Sequence, residues 1–190
     1  MKERDTQRAK LYRAEEAALK RLCKPLPTVQ DIERYLREQS QLKPLRSRYG
    51  MAVDVTDWPL EVSDGRGRRR ARAYDTHTIA IPLWARNNWL VLHEWAHIVH
   101  SRLGKEWRWT RCREGIGSRS AELRGGAPHG WQYAAVYLDL VRFCIGKDAA
   151  EALKVSFKER KVRFKPRRTR TATPGQIEHL AAMRLAARPR

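Results

Sequence analysis

Three scarcities bound what this chain can be. Cysteine is the first: Cys23, Cys112 and Cys144 are odd in number, far apart and never in Cys-x-x-Cys spacing. That argues against a disulfide framework or a cysteine-built structural zinc site. It suits a reducing compartment and leaves the three thiols as packing residues. Long apolar runs are the second. No stretch approaches the roughly 18 apolar residues that mark a membrane-spanning helix, so no membrane partner is expected. The opening Met1-Lys2-Glu3-Arg4-Asp5 is too polar for a signal peptide, which makes a cytoplasmic location the default expectation. Acid is the third: 21 Asp and Glu stand against 40 Lys and Arg, a net charge of +19 over 190 residues. Such an excess draws polyanions at long range and repels itself where no partner neutralises it. The length allows one domain with extensions, and the sequence has no internal repeat.

The positive charge gathers in three runs. Residues 158–170 form a basic tail, residues 66–72 (Arg-Gly-Arg-Arg-Arg-Ala-Arg) look like a hairpin loop, and aromatics alternate with cations from Trp107 to Arg113. One such run usually means only a solvated surface. Three runs with so large an excess point to nucleic-acid contact, made to phosphates and therefore weakly sequence-dependent. Trp107 and Trp109 have two readings, stacking on exposed bases or burial on the inner face of a short strand.

The most informative stretch is His93-Glu94-Trp95-Ala96-His97. On a helix, residues four apart lie about 40° apart around the axis and one turn along it, so both imidazoles can face one metal ion. Glu94 projects beside them, where it can take a proton from an attacking water. Trp89, Leu90, Leu92, Trp95, Ala96 and Val99 supply the apolar surface that such a helix buries. A buried amphipathic helix that merely carries histidines is the bland alternative. The continuation excludes metzincins, because His100 and Leu103 stand where that group has Gly and its third His. The Cα of His100 is roughly 10 Å along the axis from that of His93, too far for one metal to take all three easily.

The third ligand must therefore come from elsewhere. His129 is the leading candidate, placed between the helix breakers Pro128 and Gly130 at the head of an apolar run from Trp131 to Val141. Gly130 there would let the backbone come close to the metal helix. Glu114 and Glu122 follow His97 at about the interval where gluzincins provide a glutamate, and both stay open as alternatives. His77 and His179 are weaker ones.

His-Glu-x-x-His followed by His-Gly-x-x-aromatic at a helix head resembles the SprT/Spartan-like branch of zincin metallopeptidases. Arg4-Asp5-Thr6-Gln7-Arg8, Tyr12, Ala14 and Glu15 add a closer resemblance, to small metallohydrolases of actinobacteria and their phages, as does the Tyr137–Val141 run. It spans residues 4–145. The resemblance implies a zincin-like fold, zinc as cofactor with His93, His97 and His129 as ligands, and Glu94 as catalytic general base. It implies no substrate.

The remaining pattern predicts an α+β chain with N-terminal helices, a small mixed sheet, the metal helix and C-terminal helices. A helix over 5–22 has Leu11, Ala14, Ala18 and Leu22 on one stripe, and Thr28 caps a second one through Glu38. Strands are expected at Ala52–Val55 and Leu60–Val62, then at 72–74, turning through Asp75-Thr76-His77 into Thr78–Ile81. Pro82 after that last strand suits a sheet edge, which makes Thr78–Ile81 the candidate to pair with an extended substrate. Further helices are expected over 87–101, 130–145 and 147–159, with a Gly- and Arg-rich loop between the first two. A hydrolase domain over 1–160 and a disordered basic tail over 161–190 follow, with a short helix possible at 175–186. The function expected is zinc-dependent hydrolysis, a peptide bond first among targets. Tyr133, Tyr137 or an arginine of the 108–124 loop is the candidate transition-state stabiliser. The competing reading is a basic nucleic-acid-binding protein on a zincin scaffold without turnover.

Overall fold

Helix starts and stops follow local chemistry. Thr28 caps the helix Val29–Ser40 by accepting the Asp31 N–H at 3.0 Å, while the Asp31 carboxylate takes the Thr28 N–H at 3.2 Å. Asn87 caps Asn88–Trp109, where its Oδ1 accepts the Leu90 N–H at 3.0 Å. Gly146 separates Trp131–Cys144 from Lys147–Glu159 with φ 143°, a conformation that side chains rarely adopt.

A computed structural model describes residues 5–109 and 126–166. Among the described residues the chain is α+β. Helices α1 (Arg8–Leu19), α2 (Val29–Ser40), α3 (Lys43–Tyr49), α4 (Asn88–Trp109), α5 (Trp131–Cys144) and α6 (Lys147–Glu159) accompany strands β1 (Glu61–Asp64), β2 (Arg72–Tyr74) and β3 (Thr78–Ile81). None of these helices is long and apolar enough to cross a membrane. The sheet order is β1-β3-β2, parallel between β1 and β3 and antiparallel between β2 and β3.

That order corrects two expectations. Thr78–Ile81 is the central strand, paired on both sides, with Ile79, Ala80 and Ile81 all buried. Pro82 lies beyond the ladder and removes nothing from it. Among the described residues the edge strand beside α4 is β2 instead. Residues 66–72 are likewise no simple hairpin loop, because β3 is inserted between the strands they join. Gly65 holds the start of that crossing against β3: its N–H reaches the Ile81 carbonyl at 3.2 Å, and a Cβ there would lie 2.6 Å from Pro82 N.

The strand expected at Ala52–Val55 is a 3-10 turn over Gly50–Val53 followed by a loop. Asp54 explains the difference, since its Oδ1 accepts the Thr56 and Asp57 N–H groups at 2.7 and 3.0 Å and bends the backbone. The stretch at Lys43–Tyr49 is helical, which the sequence pattern did not signal. Leu22 is exposed, because α1 ends at Leu19 and Leu19 takes the buried position. Cys144 packs against the core and its thiol pKa is pushed up to about 12 by burial, whereas Cys23 is exposed.

Helix α4 runs eight residues further than expected and lies between the sheet and α5. Arg102 anchors the extension. It is fully buried and donates to the carbonyls of Thr76 (2.7 Å), Trp58 (2.9 Å), Pro59 (3.2 Å) and Asp54, with its guanidinium 4.6 Å from the Trp58 ring. Burial lowers its pKa to about 10. The backbone at Trp107 and Trp109 is helical, which corrects the strand reading; the rest of the 110–125 loop lies outside the described residues. On the other side, α5 packs on α6, and Ser156 Oγ of α6 donates to the Ala14 carbonyl of α1 at 3.0 Å. Asp139 of α5 accepts from Tyr49 Oη at 2.7 Å and pairs with Arg48 at 2.9 Å, tying in α3.

Packing continues past α6. Val162 is buried, Phe164 stands 5.8 Å from Phe157 ring to ring, and Arg163 N–H donates to Gln7 Oε1 at 2.9 Å. The first part of the basic run 158–170 is thus fastened to the N-terminal segment, and residues 167–190 lie outside the described residues.

Candidate metal centre

Helical periodicity puts His93 and His97 one turn apart on α4, and the loop before α5 brings His129 across to meet them. The three histidines offer nitrogens within 4.8 Å of one another. His97 Nε2 and His129 Nε2 face each other at 3.2 Å. Two ligands about 2.0–2.1 Å from a tetrahedral ion lie roughly 3.3 Å apart, so the spacing suits a shared metal. His93 Nε2 is buried without a hydrogen-bond partner. An orphaned buried nitrogen costs about 1–3 kcal/mol, a cost that a bound cation removes. The donor set therefore fits a metal ion.

Each outer histidine is held from behind. His93 Nδ1 meets both oxygens of Glu15 at 2.9 Å, and His129 Nδ1 meets Asp5 Oδ2 at 2.7 Å. A carboxylate on Nδ1 fixes the ring and leaves Nε2 for the metal. Gln7 completes the support by donating to the His129 carbonyl at 2.7 Å. Asp5, Gln7 and Glu15 were visible in the sequence as part of a signature, but with no role attached. Gly130 serves differently from expectation: a Cβ there would sit 3.0 Å from the Ala127 carbonyl and the Gln132 side chain, so the tight approach is within its own turn and not to α4.

The electrostatics separate the ligands. Burial, with neighbouring His93 and His129, drives His97 well below the ordinary histidine pKa. Burial also takes His129 to about 4 against the pull of Asp5. Both rings are neutral near pH 7, as ligands must be. Burial opposes charge on His93 as well, but Glu15 outweighs it and raises the pKa above the ordinary histidine value.

Glu94 is buried beside them. Burial raises its pKa, and His93 together with a hydrogen bond from the Ala73 N–H of β2 opposes the rise. It opens on a cleft of about 870 Å³ whose lining includes Arg8, Tyr12, Arg70, Ala73, His97 and His129. His100 lines the same cleft but is not one of the converging histidines, and His77 sits in an exposed turn away from them. Glu114, Glu122 and His179 lie outside the described residues.

Two of the expected transition-state stabilisers are not free. Tyr133 and Tyr137 are fully buried, and their hydroxyls donate to the carbonyls of His93 (3.1 Å) and Trp89 (3.2 Å). They lock α5 to α4, and neither lines the cleft onto which Glu94 opens. Compared with known proteins, the chain matches no family model, no curated protein and no solved structure.

Proposed function

We propose that the chain is a zinc-dependent hydrolase of zincin type that cleaves peptide bonds. The observation that carries the reading is the buried His93, His97 and His129 cluster with Glu94 at its open side. Nitrogen-only ligands suit zinc, and three of them leave a position for the reaction, where a structural site would close it with a fourth protein ligand. A zinc ion there would lower the pKa of a water molecule to near neutral and polarise a carbonyl. His93, His97 and His129 hold the ion, with Glu15 and Asp5 fixing two of the rings. Glu94 takes the proton from water as it attacks the carbonyl and delivers it to the leaving amine. The edge strand β2 on the cleft wall would suit an extended substrate, with the Ala73 N–H kept for Glu94; Thr78–Ile81, expected in that role, is the central strand.

The test combines metal analysis with turnover. One zinc per chain should copurify, and His129→Ala should lower it as severely as His93→Ala, with Glu122→Ala keeping it. Glu94→Gln should keep zinc and fold while losing about 100-fold or more in rate, because an amide cannot accept the proton. Full zinc in the His129 variant would break the ligand assignment, and wild-type turnover in Glu94→Gln would break the mechanism.

The net charge of +19 supports action at nucleic acid. Arg66, Arg68, Arg69, Arg70 and Arg72 are all exposed, and Arg70 and Arg72 reach the cleft. Binding to duplex or single-stranded DNA should weaken steeply with salt. Because Val162 and Phe164 pack on the fold, truncation belongs after residue 166; it should flatten the salt dependence with zinc unchanged. No binding by the full chain at low salt would remove nucleic acid from the proposal and return the alternative, binding without turnover, to the discard.

A further inference from the structure

Acyl hydrolysis needs a donor aimed at the oxygen on which negative charge builds, and both tyrosines of α5 are committed elsewhere. Tyr12 is not. It lies on α1, one turn before Glu15 and one turn after Arg8, so the helix that supports His93 also carries this ring to the cleft. Its ring centroid is 5.1 Å from that of His93 and 5.3 Å from that of His129, beside two of the three proposed ligands. At 39% exposure it is one of the few large aromatic side chains left open to solvent, and it shares the cleft wall with Glu94 and His97.

The hydroxyl is prepared for donation. Arg8 Nε donates to Tyr12 Oη at 3.3 Å and is its only hydrogen-bond partner among the described residues, so the phenolic proton remains to be given. The guanidinium also lies 5.5 Å from the Tyr12 ring centre and lines the same cleft, which places a fixed positive charge next to the donor. Both residues line the cleft onto which Glu94 opens.

We propose that Tyr12 is a catalytic residue that donates a hydrogen bond to the substrate carbonyl oxygen as it becomes an oxyanion, with Arg8 as its positioning residue. The inference rests on the hydrolase reading above. Water adds its oxygen to the carbonyl carbon and gives a proton to Glu94. The C–O double bond opens to an oxyanion that Tyr12 stabilises without transferring its proton. The C–N bond then breaks as Glu94 returns the proton to the amine.

The experiment uses the full chain with one equivalent of zinc, denatured casein as substrate, and a phosphonamidate dipeptide whose tetrahedral P–O group copies the oxyanion. Y12F keeps the ring against His93 and His129 and removes only the O–H. Its zinc content and melting temperature should equal wild type, kcat should fall about 100-fold as for other lost oxyanion donors, and KM should hold. Phosphonamidate affinity, read by calorimetry, should weaken in parallel with kcat/KM. R8Q should lower kcat less than Y12F and add little on top of it, because both act through one hydroxyl. A Y12F protein with unchanged kcat and unchanged phosphonamidate affinity overturns the assignment alone. A Y12F protein that loses its zinc overturns it too, since the hydroxyl would then be structural. A wild type that neither cleaves casein nor binds the phosphonamidate overturns the hydrolase reading and this inference together.

Discussion

On the His93 side of the site, Glu15 is fully buried and meets Nδ1 with both oxygens at 2.9 Å, whereas on the His129 side Asp5 keeps 25% of its side chain in solvent and offers one oxygen at 2.7 Å. The two carboxylates share a task, fixing a ring so that Nε2 faces inward. Their surroundings give them different weight. Glu15 is buried on α1, and among the described residues its carboxylate is paired with His93 alone. Asp5 lies before α1 begins and is bound only at its tip. A fully buried partner is part of the core, and a half-buried one belongs chiefly to the site.

The largest effect should follow from removing the buried carboxylate. Glu15→Ala leaves His93 Nδ1 unpaired in the interior and opens a cavity; breaking a buried pair costs about 3–5 kcal/mol. The melting temperature should drop without added metal, and zinc affinity should fall by about 100-fold, the upper range for a lost supporting carboxylate. Thermal denaturation and competition with a zinc chelator measure both. Asp5→Ala should come next in size, with zinc affinity lower by about 10-fold and the melting temperature unchanged. Equal losses of stability in the two variants would erase the distinction between a core carboxylate and a site carboxylate.

The comparison also shows what the sequence can tell. His93, Glu94 and His97 were legible because a four-residue spacing on a helix has one geometric meaning. His129 was legible from Pro128 and Gly130, which mark a helix head whatever the fold. Glu15 was not. Periodicity marks a buried face by apolar residues, and a carboxylate there looks like an interruption of the Leu11, Ala14, Ala18 stripe. What makes it tolerable is an imidazole 78 positions away. The α+β composition and the mixed sheet are readable from local patterns, but strand order is non-local: Pro82 after Thr78–Ile81 signals an edge, and nothing in that stretch signals that β1 pairs beside it. Three consecutive buried residues at Ile79, Ala80 and Ile81 are the sign of a central strand, covered on both faces. Arg102 misled in the same way as Glu15: a charged residue near the end of an apolar helix reads as its limit, and only the carbonyls of Asp54, Trp58, Pro59 and Thr76 explain its burial.

The sheet wall of the cleft provides the gentlest test of where the site's stability resides. Glu15 of α1 holds His93 and Asp5, just before α1, holds His129, while β2 contributes one backbone donor, the Ala73 N–H, to Glu94. That N–H points away from β3, since it serves Glu94, so its removal leaves the ladder between β2 and β3 intact. Ala73→Pro deletes the donor on a free edge, a position where proline is tolerated, and the preceding Arg72 already has the extended backbone that proline demands. Zinc content should not change, because no histidine is touched. On the hydrolase proposal, turnover should fall by about fivefold, the equivalent of roughly 1 kcal/mol for one hydrogen bond that orients the proposed base. Steady-state rates at saturating substrate, paired with zinc analysis, decide it. A loss of zinc in Ala73→Pro would mean that the sheet, too, holds the metal ligands in place, and the division between a wall that binds and a wall that orients would not stand.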